Sequence, residues 1–424
     1  MRKRNWWVIP IAAALIIPAC SSNNSATNSG KVTINWWQDT EDTGTFEHNV
    51  IKAFEAKYPN IQVNLTTYPQ SQYYTKVDTA LAAGTGPDVV GLPSLTWMKD
   101  GLLVPLGGLV KAYHINLSAY NPAIVGTKGQ YNAAFGCSYG GKLYCLGAWL
   151  GADMLLYNRA MFRAAGIAPP PAWPAMTVAQ FVSLACKLTN KSKHVYGAAY
   201  GDPFTWLPPE IFVSPDGKRA EGYLNGPTAV TAEEELARGI QQGCAPSLNT
   251  VDPWAQGEDW FVQGKVAMLI GGFADMARFE KLKIDYGYAP YPSPPGVQPF
   301  WYTWTDGMGI MAKSPHLKQD EQLVAFLTTY GQRIAARLGN LPLSMAVAKQ
   351  VNWAHGIPGR VEGLQVLQHS RPPVFIPNQW TTYGPAFNAF GSIVSGANAQ
   401  TALNNAAAAT QQNLAKQWAI WEHQ

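Results

Sequence analysis

Residues 31–92 read KVTINWWQDTEDTGTFEHNVIKAFEAKYPNIQVNLTTYPQSQYYTKVDTALAAGTGPDVVGL, and the order of their periods decides the fold class. Val32, Ile34 and Trp36 alternate with Thr33 and Asn35, the pattern of a strand with one buried face. Phe46, Val50, Ile51, Phe54 and Tyr58 then recur at helical spacing, and Pro59 ends the run. IQVNLTTY (61–68) alternates as a second strand, YYTKVDTALAAG (73–84) reads as a helix stopped by Gly84, and DVVGL (88–92) is a short buried strand. This β-α-β-α-β run predicts an α/β architecture, a sheet covered by helices.

The same grammar returns after Leu150. DMLLY (153–157) is a strand, NRAMFRAAG (158–166) a helix, APPPAWP (168–174) a Pro-rich break, and TVAQFVSLACKLT (177–189) a second helix. The chain is too long for one compact core, so two lobes are expected.

The N-terminus bears on the compartment. Arg2, Lys3 and Arg4 precede an apolar run, Trp6 to Ile17, that falls short of the roughly 20 residues a membrane span needs. Cys20 follows in IIPAC, and then the uncharged tract SSNNSATNSG (21–30). This is the layout of an export signal, with a short membrane anchor as the competing reading. Ala19 before the cysteine resembles a bacterial lipobox, although Pro18 is atypical there. That resemblance implies a signal peptide over 1–19, lipidation at Cys20 and a flexible tether over 20–30. No later segment is long and apolar enough to span.

Without Arg2, Lys3 and Arg4, 28 basic residues face 27 acidic ones. A near-neutral chain with no basic cluster argues against nucleic acid or an anionic membrane surface as partner. Charged residues make up only 14%, so the surface draws on Asn, Gln, Thr, Ser and Tyr, a composition suited to an acidic exterior. Cys137, Cys145, Cys186 and Cys244 remain after Cys20, an even number that suggests disulfides in an exported chain. Cys137 and Cys145 flank the hairpin-like SYGGKLY, which favours that pair and leaves Cys186 with Cys244 by default. A metal site is the rival, but there is no Cys-x-x-Cys and the seven histidines are scattered.

Four stretches in order carry a resemblance to a known family. They are the run from KVTINWW through FEAKYPNIQV to ALAAGTGPDVV, then GKLYCLGAWLGADMLLYNRAMFRAAGIAPPPAW, DWFVQGKVAMLIGGF, and VFIPNQWTTYGPAFNAF followed by ALNNAAAATQQNL. Together they cover nearly the whole mature chain, which resembles the extracytoplasmic (family 1) solute-binding proteins of ABC sugar importers, the group that includes maltose-binding protein. The resemblance implies a two-lobe, class II periplasmic-binding-protein-like fold. Each lobe is a mixed sheet flanked by helices, three segments cross at the hinge, and the lobes close on a ligand. It puts the crossings near Trp149–Ala152, Tyr302–Asp306 and Gly339–Leu343, the N-lobe over 31–149 plus 305–340, and the C-lobe over 150–304 plus 341–424. Gly151, Gly307 and Gly339 at or beside these crossings are expected to supply hinge freedom.

In open α/β sheets ligands bind beyond the carboxyl ends of strands. Trp36 continues the inward alternation and reads as core, whereas Trp37 has the opposite phase and is the better ligand candidate. Gln38 and Asp39 match the family's polar residues after the first strand, though as turn formers they need no further role. The resemblance carries over Phe273 and Tyr383 as stacking platforms, with Trp380 close by, and Asp202 before PFTW as a polar sugar contact. Ser94 stands where some relatives have a carboxylate, and Gly151 where maltose-binding protein has an acid at the first crossing, beside Trp149 as a wall. Trp301, Trp304 and Asp306 lie on the second crossing, where alternation turns only some of them to the ligand. Asp88 and Trp206 read as structural. Of the sixteen tryptophans, about ten are expected to be buried for packing alone.

The functional expectation is a monomeric receptor, lipid-anchored at the outer face of the cytoplasmic membrane (cell surface or periplasm). It delivers a carbohydrate to ABC permease subunits, touches the membrane only through its anchor, and needs no cofactor, metal or catalysis. A glycoside hydrolase is one rival, with Asp39, Asp202 and Asp306 as carboxylates across a cleft. There is no Gly-x-Ser-x-Gly, His-Glu-x-x-His or phosphate-binding loop to favour an enzyme. A receptor for another solute, such as glycerol phosphate, a polyamine or a metal, is a second rival. The proposed cleft segments lack the Arg or Lys a phosphate needs, and carry few carboxylates for a polyamine. An adhesion or scaffold protein is the third.

Overall fold

A computed structural model describes residues 31–39, 45–120, 137–248, 257–272, 276–299, 303–369 and 374–422. The expected signal peptide, Cys20, the tether, Phe273 and Trp301 lie outside the described residues, as does the side chain of Trp380.

Strands β1 (Val32–Asp39), β2 (Ile61–Tyr68) and β3 (Val89–Gly91) come first, followed by the hairpin β4 (Ser138–Tyr139) and β5 (Lys142–Leu143). Then come β6 (Trp149–Asn158), β7 (Tyr196–Ala199), β8 (Val266–Gly272), β9 (Tyr286–Ala289), β10 (Thr303–Trp304), β11 (Met308–Ile310) and β12 (Leu341–Pro342). The first sheet has the order β11-β3-β1-β2, with β1 parallel to both β2 and β3 and β11 antiparallel. The second has the order β10-β6-β8-β7, with β9 and β12 also pairing β6.

Both faces of the first sheet are covered. Ile34, Trp36, Ile61 and Val63 pack with Phe46, Val50 and Phe54 of the Thr45–Lys57 helix. Val90 and Trp37, on the opposite phase, pack with Tyr73 and Val77 of the Gln70–Ala82 helix and with Trp97. The strand β1 extends to Asp39, so Gln38 and Asp39 sit inside it, opposite Thr67 and Tyr68, rather than in a turn after it. Gln38 thereby shares the phase of Ile34 and Trp36 and is buried. Strand β6 is buried from Leu150 to Asn158, as suits a central strand with neighbours on both sides. Asp88 is structural: its Oδ2 accepts from the backbone N–H of Asn35 at 2.7 Å and its Oδ1 from Ser314 Oγ at 3.1 Å. Trp206 is likewise fully buried.

The three segments placed at the crossings lie side by side. Ala152 and Gly151 of β6 pair Thr303 and Trp304, while Leu150 and Trp149 pair Leu341 and Pro342. The glycines there differ from the hinge expectation. Gly339 alone of the three takes a left-handed φ, +99°. Gly151 and Gly307 are required for close approach: a Cβ on Gly151 would stand 2.2 Å from the Trp304 ring, and one on Gly307 2.5 Å from Cys145 Sγ. Cys137 and Cys145 form a disulfide that closes the β4–β5 hairpin, and Cys186–Cys244 ties the Val178–Leu188 helix to the turn after the Pro227–Gln241 helix. The hairpin also reaches the long Ala399–Glu422 helix, where the Tyr139 ring meets Trp421 edge-on at 5.3 Å.

Among the described residues most indoles divide between enclosed and half-buried positions. Trp36, Trp97, Trp206 and Trp353 are enclosed, whereas Trp37, Trp149, Trp260, Trp304, Trp418 and Trp421 are half-buried, because so large a ring is seldom covered on every side. Among the described residues no helix is long and apolar enough to cross a membrane.

Candidate functional site

The parallel strands β1, β2 and β3 all end at one edge of the first sheet. There Trp37 is half-buried, its ring edge-on to Tyr68 at 5.2 Å. The Tyr73 hydroxyl fixes the strand ends from behind, reaching the carbonyl of Gly91 at 2.6 Å and that of Trp37 at 3.2 Å. Trp36 Nε1 donates to Gln38 Oε1 at 3.3 Å, and Gln38 Nε2 donates to Asp39 Oδ1 at 3.0 Å. Gln38 lies directly over Gly91, where an added Cβ would stand 1.7 Å from its Oε1. Gln38 and Asp39, at 2% and 7% exposed, therefore brace each other, and Trp37 offers the open surface of this edge. Ser94 caps the Leu95–Lys99 helix, its Oγ accepting from the Trp97 N–H at 3.2 Å.

At the second sheet β7, β8 and β9 run in one direction, so their carboxyl ends meet the amino end of β6 at one edge. Asp153 of β6 pairs Gly272 there. Asp202 follows β7 by three residues and is half-buried, and burial pushes its carboxyl up to about 6. Trp206 stands edge-on to Tyr200 at 6.3 Å and to Tyr291 at 5.9 Å. Burial, helped by the charge of Asp153, raises the Tyr291 phenol. Tyr383 is enclosed, stacked on Phe204 at 5.6 Å, and its hydroxyl has no hydrogen-bond partner among the described residues. The expected platform at Tyr383 thus supports Phe204, the residue two after Asp202, from inside.

The segment Trp304–Met308 joins the two edges. Trp304 is half-buried with its ring on Gly151, Asp306 is half-buried, and the Gly307 carbonyl accepts from the Leu92 N–H at 2.8 Å beyond the end of β3. Trp149 is half-buried at the start of β6. The structure therefore gathers Trp37, Gln38, Asp39 and Ser94 at the first edge, Trp149, Asp202, Trp304 and Tyr383 at or behind the second, and Asp306 on the link. Sequence reasoning missed Asp153 and Tyr291. Asp153 had a signal, a polar residue opening the apolar run DMLLY at a strand end; Tyr291, in APYPSPP, had none.

Chemically, half-buried indoles offer flat apolar faces, and carboxylates beside them accept hydrogen bonds from hydroxyls. Residues 36–39, 91–94, 149–153, 200–206 and 303–308 contain no Lys or Arg, so the arrangement does not select an anion. No group of three or more His, Cys, Asp or Glu among the described residues is placed to hold a metal ion. Two surface cavities, about 320 and 220 Å³, lie elsewhere: one at Thr189, His194, Tyr196 and Gln241, by the opposite end of β7, and one between Asn49, Ala53 and Arg337.

Comparison with known proteins adds to this geometry. The family model described as bacterial extracellular solute-binding protein matches residues 37–334. The multiple sugar-binding protein of Streptococcus mutans is 21% identical over 347 residues, 76% of this chain and 77% of that protein. The ABC substrate-binding protein of Listeria monocytogenes, solved in complex with cycloalternan, superposes with a TM-score of 0.73 at 21% identity, covering 91% of this chain and 99% of that one. The maltose/maltodextrin-binding domain of Bdellovibrio bacteriovorus, solved with maltotriose, superposes with a TM-score of 0.70 at 21% identity, covering 90% and 99%.

Proposed function

Because the chain belongs to the bacterial extracellular solute-binding proteins, whose members are binding proteins rather than enzymes, we propose that it captures a carbohydrate between its two strand edges and passes it to an ABC permease. The observation that carries this reading is that half-buried indoles (Trp37, Trp149, Trp304) and the carboxyls of Asp202 and Asp306 lie at the two strand edges and on the link between them, in segments free of Lys and Arg. Sugars have apolar C–H faces that indoles cover and hydroxyls that carboxylates and amides bind in pairs. The sugar-related names of the relatives support the same class of ligand.

In this reading the first sheet and its helices form an N-lobe of 31–149 plus 305–340, and the second forms a C-lobe of 150–304 plus 341–424. The crossings flex to close on ligand. The chemistry is binding alone. A monomer tethered outside the cell through lipidated Cys20 then presents the loaded, closed form to permease subunits.

The test is intrinsic tryptophan fluorescence and calorimetry on the chain starting after Cys20, titrated with mono-, di- and oligosaccharides. One saccharide class is expected to bind saturably, and Trp37→Ala to weaken it by about tenfold, or ~1.4 kcal/mol. No response to any saccharide from protein shown folded by circular dichroism overturns the proposal.

A further inference from the structure

The Pro227–Gln241 helix encloses a carboxyl that the binding site does not openly use. Glu233 is 0% exposed, and neither of its carboxyl oxygens has a hydrogen-bond partner among the described residues. The segment that carries Asp202 lies against the same helix. Tyr200, two residues before Asp202, donates its hydroxyl to the Leu236 carbonyl at 2.8 Å, and Leu236 is one turn along from Glu233. A half-buried carboxyl at the strand edge is thus backed by a fully buried one.

The surrounding charges do not neutralise the buried member. On its own helix, Glu234 is exposed and Arg238 is engaged with Glu235 and with Gln242. The Val178–Leu188 helix packed against it carries Lys187, and the Ala399–Glu422 helix carries Lys416 and Glu422, the last paired with Lys218. The third packed helix, Gly384–Val394, has no ionisable side chain, and Tyr383 at its start faces the charge of Glu210. Among the described residues the charge that bears on Glu233 is that of Asp202. An unpartnered carboxyl in such a layer keeps its proton, since ionising it costs far more than in water. Burial, and then Asp202, hold the Glu233 carboxyl well above the usual carboxylate range.

We propose that Asp202 and Glu233 form a one-proton pair, in which Glu233 stays the neutral acid and Asp202 carries the charge presented to the ligand, so that capture has an acid limit set by Asp202 and an alkaline limit set by Glu233. The inference rests on the proposed carbohydrate reading for its ligand and on the buried pair for its mechanism. Below about pH 6 Asp202 takes up a proton and its hydrogen bonds to hydroxyls lose their charge assistance. Once the pH is high enough for Glu233 to release its proton to solvent beside an ionised Asp202, two like charges share an apolar layer with no cation paired to Glu233 among the described residues. The helix that supports the strand edge is loosened as a result.

The pair is tested by measuring affinity for the tightest-binding saccharide from pH 4 to pH 10 in wild type, Asp202→Asn and Glu233→Gln. Thermal unfolding without ligand is followed over the same range. Wild-type affinity is expected to fall by about threefold or more at each end, the acid loss being that of a charge-assisted hydrogen bond. Asp202→Asn should abolish the acid fall. Glu233→Gln should keep the acid fall and abolish the alkaline one, in affinity and in melting temperature alike. Should the amide fold poorly, Glu233→Met is the second variant, expected to melt at least as high as wild type and to lack the alkaline fall. An unchanged alkaline fall in either Glu233 variant, or an acid fall that persists in Asp202→Asn, overturns the pair. If no saccharide binds, the proposed function fails while the unfolding scans still decide the role of Glu233.

Discussion

The two strand edges are built on opposite principles. At the first, polar groups close on one another: Trp36 donates to Gln38, Gln38 to Asp39, and Tyr73 to the carbonyls of Gly91 and Trp37. At the second, polar groups are buried with their hydrogen-bonding capacity unspent: both Glu233 oxygens and the hydroxyls of Tyr291 and Tyr383 have no partner among the described residues. Buried polar groups are normally satisfied, because leaving one unpaired costs about 1–3 kcal/mol. The first edge is therefore a rigid anvil that presents Trp37, and the second holds the groups whose state changes with proton or ligand. Recognition is expected to be decided there.

The comparison is broken most directly at the glycines that let side chains lie on each edge. Gly151→Ala puts a Cβ 2.2 Å from the rigid Trp304 indole and is expected to cost about 3 kcal/mol in urea unfolding and to weaken saccharide binding. Gly91→Ala meets only the amide end of Gln38, which can swing at the loss of its hydrogen bonds, and should cost about half as much. Equal costs would show that the Gln38 amide cannot swing aside and is held as firmly as the Trp304 indole.

Titration sharpens the contrast at the next level. Burial pushes Asp202 up to about 6 and Asp320 up to about 7, the latter aided by the charge of Asp88. Carboxyls raised in the fold stabilise it fully below their unfolded values and lose that contribution as pH rises through the folded ones. Burial also raises Asp285, but the Arg163 and Arg159 guanidiniums outweigh it, so Asp285 works in the opposite sense at acid pH. Melting temperature is expected to be highest near pH 4 and to fall toward pH 7, equivalent to about 2 kcal/mol. A stability maximum above pH 7 would refute the burial of these carboxyls.

Smaller effects separate the edges residue by residue. Ser94→Ala removes a helix cap and should cost about 1 kcal/mol in stability while leaving affinity unchanged. A tenfold loss of affinity instead would make Ser94 a ligand contact. Tyr383→Phe deletes a buried hydroxyl without a partner and should leave stability within about 0.5 kcal/mol of wild type. A loss above that would reveal a partner for the hydroxyl and assign Tyr383 to the first kind of edge.

Strands β1 and β2 were legible because their apolar residues repeat every second position, and the Cys137–Cys145 pair because Gly140 and Gly141 mark a turn between them, whereas β11 carried no such signal. Gln38 was misplaced for the converse reason. Its polar side chain hides the fact that it keeps the phase of Ile34 and Trp36, and only the register with β2 reveals it. Gly151 and Gly307 were read as flexible because their packing partners, Trp304 and Cys145, come from distant segments of the chain. Glu233 sits in EEE, which reads as a solvated acidic run. Its helical phase with Ala229, Val230, Leu236, Ala237 and Ile240 was the available signal that one of the three is enclosed.

The contact of the Cys137–Cys145 bridge with Gly307 also sets a timetable. Bacterial cytoplasmic thiols are kept reduced, so a chain still inside the cell has two separate sulfhydryls where the mature protein has one compact brace. The brace bears on the residue next to Asp306, between the two strand edges. For a protein of an extracellular family, oxidation that seats the hairpin against Gly307 is thus expected outside the cell rather than within it.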